Sequence, residues 1–164
     1  MEVALDLART ARLAGEVPVG AVIVVDGEIA GRGHNASLER TDPTAHAEIV
    51  AVRDAAARLG SYRLVGSTLY CTVEPCLMCL GAMLHARVGR IVYGASEGRV
   101  GATTRLEHLR ETGADFNHRF ETTGGVLAAE ASALLLDFFR EKRSATHSRS
   151  PASMATSGEV PKWS

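Results

Sequence analysis

The chain has 164 residues, 46% hydrophobic and 23% charged, with a net charge of −1. That length suits one domain with its own core, and the composition is that of a soluble globular protein. No run of about 18 apolar residues is present, which excludes a membrane-spanning helix, and the near-neutral charge argues against a surface that tracks phosphates non-specifically while leaving room for a local basic patch.

The opening "MEVALDLARTARLAG" is charged and interrupted, unlike a signal peptide. Val3, Leu7, Ala11 and Ala14 recur at helical spacing and predict a first helix over Glu2 to Ala14, stopped by Gly15. A hairpin follows, Gly20 to Val25 and Glu28 to Gly33, turning at Asp26-Gly27. Asp42, Pro43 and Thr44 are start signals for a second helix and Gly60 is its stop, with Ile49, Val52, Ala56 and Leu59 on the buried face. "STLYCTV" reads as a third strand, a third helix starts near Cys76, and Arg90 to Tyr93 forms a fourth strand. "TRLEHLRET" predicts a fourth helix and Phe120 to Thr123 a short fifth strand. The last helix ends at Arg143 and turns Leu127, Ala131, Leu134, Leu135 and Phe138 inward. From Ser144 to Ser164 Ser, Thr, Pro and Ala dominate, so the expected division is a folded domain over 1–143 and a disordered tail over 144–164. Strands alternating with helices after an initial hairpin imply a layered α/β domain with a mixed sheet.

All three cysteines lie within "LYCTVEPCLMCLG". Their odd number and spacing argue for a reducing compartment and against a disulfide framework. Taken alone, Cys76-x-x-Cys79 is equally a metal half-site, a redox pair at a helix start or two core thiols. "TAHAEI" changes the balance, because His46 also sits where a helix begins. Two helix starts converging at one sheet edge would offer zinc one nitrogen and two sulfurs, and their dipoles favour thiolates. His85 lies well round its helix from Cys79, and His34, His108, His118 and His147 have no ligand-like spacing. Cys71, a lone thiol on a strand, reads as core. Three ligands and an open position are the pattern of a catalytic zinc, whose bound water ionises near neutral pH. Glu48 would then carry protons between water and substrate. Residues two apart on a helix diverge by roughly 200°, so His46 and Glu48 share a site only if His46 lies at the very first turn.

H-x-E followed by P-C-x-x-C resembles the signature of the zinc-dependent nucleoside and base deaminases. The likeness runs to about Arg143, and within that superfamily the chain is most similar to the bacterial tRNA-specific adenosine deaminases. It is carried by "EVPVGAVIV", "GRGHN", "DPTAHAEI" with "EPCLMC", and "FNHRFETTGGVLAAEASALLLDFFREKR". The resemblance implies a three-layer cytidine-deaminase-like fold with a mixed five-stranded sheet flanked by helices. It implies hydrolytic conversion of adenosine to inosine at the wobble position of a tRNA anticodon, by a zinc-activated water and one zinc per subunit. His46, Cys76 and Cys79 become the ligands and Glu48 the proton shuttle. Asn35, by itself a turn residue, becomes a partner of the flipped base, and the backbone around Ala47 and Cys76 lines the pocket. Phe139 and Arg140 match positions that meet the anticodon loop, with Lys142 and Arg143 near phosphates; read alone they are core and a solvated helix face. The family also implies a cytoplasmic homodimer in which each pocket borrows residues from its neighbour. Two departures stand out. Leu77 and Leu80 alter the usual Cys-Pro-Met-Cys-Ala run, and Glu97 replaces an Asp in the loop approaching the nucleotide, which bears on substrate fit.

Three other readings compete. A free-base deaminase acting on guanine or cytosine shares the first three stretches and differs after the fourth strand. A zinc-stabilised RNA-binding module without turnover leaves Glu48 and the open position without a purpose. A thiol oxidoreductase leaves His46-Ala47-Glu48 unexplained.

Overall fold

The computed structural model describes residues 1–96, 98, 101–111, 113 and 116–147. Helix α1 (Glu2–Leu13) leads into a hairpin of β1 (Gly20–Val25) and β2 (Glu28–His34). Asp26 and Gly27 make its turn with φ of 50° and 81°, the left-handed pair whose twist matches that of the strands. After α2 (Ser37–Arg40) and α3 (Ala47–Leu59) come β3 (Thr68–Val73), α4 (Leu77–Ala86), β4 (Arg90–Ala95), α5 (Thr103–Glu111), β5 (Glu121–Thr123) and α6 (Ala128–His147). The sheet order is β2-β1-β3-β4-β5. β1 runs antiparallel to β2 and β3, whereas β3, β4 and β5 are parallel. This is the expected mixed five-stranded sheet, antiparallel at the hairpin and parallel where helices make the crossovers. No helix among the described residues is long and apolar enough to cross a membrane.

Helices cover both faces. Ala21, Ile23, Leu69, Cys71 and Ile91 alternate onto the face packed by α3 and α4, and there join Ile49, Leu80 and Met83 in the main core. Cys71 is therefore a core thiol, as its strand position predicts. Leu5, Ala131 and Ala95 form a smaller cluster with Leu127 and Leu134, where α1 and α6 meet the sheet.

The helices come closer to the sheet than their larger apolar residues would allow. Gly20 lies directly under α1, and Gly31 and Gly33 lie under α3, each so near that a Cβ would strike helix backbone. Small residues therefore fill the contact. α1 buries Ala4, Leu5, Ala8 and Ala11, while Val3 and Ala14 are exposed and Leu7 is half-buried. The predicted Val3–Leu7–Ala11–Ala14 stripe is thus rotated. On α3 the buried set is Ala47, Glu48, Ile49, Val50, Ala51 and Ala55. Val52 and Ala56 are only half-buried and Leu59 is exposed, again because the close approach selects alanines.

One element is new and two boundaries move. α2 has no counterpart in the predicted elements, and β4 continues from Tyr93 to Ala95. α6 runs on to His147, so residues 144–147 continue the helix instead of beginning the tail, and the rest of the expected tail, 148–164, lies outside the described residues.

Candidate metal centre and active site

Asp42, Pro43 and Thr44 form a turn rather than the first turn of α3. Asp42 Oδ1 accepts from the Thr44 amide at 2.8 Å and the Thr44 hydroxyl at 2.7 Å, which holds the Asp42 carboxyl below its usual range. The helix consequently starts later. His46 is its N-cap, in extended backbone with φ −70° and ψ 151°. The 200° divergence does not apply to a residue outside the helix, so the His46 ring and the Glu48 carboxylate both line one cleft. Cys76 occupies the same place on α4, an extended N-cap with φ −76° and ψ 171°. Cys79 follows in the first turn, three positions on and on the same face.

His46, Cys76 and Cys79 are the one group of three or more potential metal donors among the described residues. His46 Nδ1 lies 3.7 Å from Cys76 Sγ and 3.5 Å from Cys79 Sγ, and the sulfurs are 3.6 Å apart. A tetrahedral zinc with nitrogen at about 2.1 Å and sulfurs at about 2.3 Å calls for N···S separations of about 3.6 Å and S···S of about 3.8 Å. The donor triangle therefore fits zinc in both chemistry and size. The three groups are electrostatically coupled and hold their protons unevenly. The Cys76 thiol is lowered to about 4, first by hydrogen bonding with Cys79 and then with His46. His46 is raised by its hydrogen bond to Cys76, and Cys79 is pushed up by the pairing with Cys76 and by burial. A divalent cation replaces the protons shared among such groups.

Glu48 is 4% exposed, and burial pushes its carboxyl above the usual range. It lines a cleft of about 250 Å³ together with Asn35, His46, Glu74 and Cys76. The other walls are apolar: Val17, Val19 and Val73 from the sheet side, Leu135 and Phe139 from α6. A small, mostly apolar cleft with a few convergent polar groups is what binds a planar heterocycle.

Asn35 shows the turn character expected of it. It ends the hairpin, and its Oδ1 accepts the Ala47 amide proton at 2.9 Å, capping α3. That bond fixes the carboxamide and leaves Nδ2 as a donor at the cleft wall. Ala47 is fully buried with its amide spent on Asn35, and it does not line the cleft. Phe139 does: it is 43% exposed, edge-on to Phe138, rather than core. Arg140 is exposed beside Asp137, 3.6 Å away, and lies outside the cleft wall. Glu97 lies outside the described residues. Glu74 went unrecognised in the sequence, although "EPCLMC" contains it. A carboxylate next to a proline and a metal-spaced cysteine is a usable signal.

A buried carboxylate beside a His-Cys-Cys donor set, on helix starts at one edge of a mixed sheet, defines a zinc hydrolase of the deaminase type. A family signature described as the cytidine and deoxycytidylate deaminase zinc-binding region matches residues 1–95, and the chain belongs to that family. It is 49% identical to the tRNA-specific adenosine deaminase of Haemophilus influenzae over 144 residues, 87% of this chain and 83% of that protein. A solved structure from studies of A-to-I editing by tRNA:A34 deaminases at the wobble position of transfer RNA superposes with a TM-score of 0.77. The two are 40% identical, over 82% of this chain and 97% of that one. A guanine deaminase from Nitrosomonas europaea is more distant, 25% identical at a TM-score of 0.67 over 84% of this chain and 81% of its own.

Proposed function

We propose that this protein hydrolyses the amino group from adenosine at the wobble position of a tRNA anticodon, leaving inosine and ammonia. The observation that carries the reading is the joining of two things in one cleft. One is the zinc-sized His46–Cys76–Cys79 triangle with Glu48 buried beside it. The other is the nearly full-length kinship to tRNA-specific adenosine deaminases.

In this reading His46 Nδ1 and the sulfurs of Cys76 and Cys79 would hold a zinc ion, which would supply the Lewis acidity that turns water into a nucleophile near neutral pH. Glu48 is the proton carrier. Its carboxylate takes a proton from the attacking water and delivers it to N1 of adenine as C6 becomes tetrahedral. It then takes the proton of the new C6 hydroxyl and passes it to the exocyclic nitrogen, which leaves as ammonia while C6 becomes a carbonyl. Its burial suits a group that must hold and release a proton near neutral pH. Asn35 Nδ2 donates to an acceptor nitrogen on the purine, and Val17, Val19, Val73 and Leu135 sandwich the ring and exclude water.

Phe139 offers a stacking face to an unpaired anticodon-loop base, and Arg140 contributes charge at the same rim. Glu97, where the family has Asp, bears on substrate fit. The RNA is recognised by a second copy of this chain as well as the first, and the groove between α3 and α4 is where that copy packs. Val52, Ala56, Ala82 and Ala86 give it an apolar floor, exposed Tyr62 stands at its side, and Leu77 and Met78 are exposed on the same α4. Three cysteines, two of them in the donor set, support a reducing compartment such as the cytoplasm.

The test uses zinc-replete protein and an anticodon stem-loop RNA with adenosine at the wobble position. Free guanine, cytosine and adenosine run in parallel, with products weighed by mass spectrometry. Inosine in the RNA alone is the expected result. Turnover of a free base with none of the RNA would overturn the substrate and leave the zinc chemistry.

A further inference from the structure

Glu74 has no part in the mechanism above, yet its carboxyl is buried, 8% exposed, at the cleft wall two residues before a metal donor. Its Oε1 accepts the Thr103 amide proton at 3.2 Å and the Thr103 hydroxyl as well. Thr103 opens α5 and is itself buried. Around this pair the backbone closes a clasp. The Glu74 amide donates to the Ala95 carbonyl at 2.8 Å, and the Ala102 amide donates to the Pro75 carbonyl at 3.1 Å. Cys76 and Gly101 form an antiparallel bridge. Glu74-Pro75-Cys76 is therefore gripped by the end of β4 on one side and by the start of α5 on the other.

A buried carboxylate is a costly way to gain stability, because it must be stripped of water and fully partnered. It is an effective way to fix one geometry. Pro75 adds to this by locking its own φ. We propose that Glu74 is a positioning residue: by holding Thr103 it closes the clasp that fixes where Cys76 presents its sulfur, and so sets how tightly the protein keeps its zinc. This rests on the metal assignment above. Loss of the Thr103 hydroxyl removes one hydrogen bond that ties the carboxylate to α5, and the strap carrying Cys76 opens more often.

The experiment follows zinc release to a chromogenic chelator from the zinc-loaded chain, well below its melting temperature, with no substrate present. Thr103→Val is expected to release zinc on the order of tenfold faster, the lower end of what partners of metal ligands are worth. Thr103→Ser, which restores the hydroxyl, is expected to return the rate to that of the natural chain. Leu5→Ala controls for a general loss of stability, since Leu5 lies in the small cluster with α6, away from the donors. It is expected to lower the melting temperature without hastening release. Release from Thr103→Val at the natural rate would overturn the proposal, as would equal acceleration by Leu5→Ala. Should Thr103→Val not fold, Glu74→Gln keeps an acceptor oxygen but loses the charge. It is expected to accelerate release less, and a natural rate there would overturn the proposal too. A natural chain that holds no stoichiometric zinc would instead refute the metal assignment, before any variant is compared.

Discussion

Gly33→Ala tests how the fold sets the active-site geometry. Gly33 is in extended strand, so alanine meets no backbone strain there; the obstacle is space. A Cβ at this position would fall on the Ala47 carbonyl oxygen and the Ala51 amide nitrogen, both well inside the 3.0 Å that real Cβ contacts keep, and 2.9 Å from Val50 Cβ. Two of these neighbours are helix backbone and cannot rotate away. The first turn of α3 has to retreat by about 1 Å, or β2 has to bend, at a cost of about 1–3 kcal/mol. For a chain of this size that lowers the melting temperature by roughly 3–10 °C. The same turn follows His46 and carries Glu48, so the retreat pulls the imidazole away from sulfurs now 3.5 and 3.7 Å distant. A misplacement of about 1 Å at a reacting centre costs on the order of 10²-fold in rate. Thermal unfolding, zinc content by elemental analysis and inosine formation on the stem-loop read the three effects. Gly81→Ala is the control. Gly81 lies inside α4 with nothing within 4 Å of its would-be Cβ, so alanine there is expected to stabilise by roughly 0.5–1 kcal/mol. Natural stability and rate in Gly33→Ala, or equal damage from Gly81→Ala, would refute the reasoning.

Three further outcomes are expected. Glu48→Gln keeps zinc and fold while turnover falls roughly 10²- to 10⁴-fold; single-turnover assays beside zinc analysis check it, and full activity would remove the proton-carrier role. Cys79→Ala loses stoichiometric zinc and melts earlier, because metal binding and folding are coupled; elemental analysis and a melting curve decide, and retained zinc would count against the ligand set. Asn35→Ala leaves the Ala47 amide uncapped and lowers stability by about 1 kcal/mol, as well as turnover. Asn35→Asp keeps an acceptor for that amide but loses the Nδ2 donor, so its melting temperature should stay near that of the natural chain while activity falls. Equal activity in Asn35→Asp and the natural chain would free Asn35 of any role with the base.

Much of this architecture can be read along the chain, because the signals are local. Asp26-Gly27 fixes a hairpin by its φ values, Gly60 ends α3 in a left-handed C-cap with φ 63°, and Cys76 and Cys79 stand together at the start of α4 because they are close in sequence. His46, Glu48, Cys76 and Cys79 are likewise chosen by residue type, since few side chains can hold zinc or carry its protons. The rotated helix faces depend on distant partners. The buried face of α1 turns toward Ala4 and Ala8 because Gly20, on another element, lets the helix settle close.

The site divides in the same way. The sequence by itself determined which donors are present and that they stand at helix starts. A local turn in which Asp42 accepts from Thr44 delays α3 until His46 is its extended cap, and the tertiary structure then brings that cap to the cleft that Glu48 lines. It also decided that Asn35 would cap that helix and that Glu74 would reach across to Thr103. The Asn35 and Glu74 bonds join residues whose separation along the chain carries no information until the sheet brings them together, and the positions they fix hold the donors at separations that fit a metal.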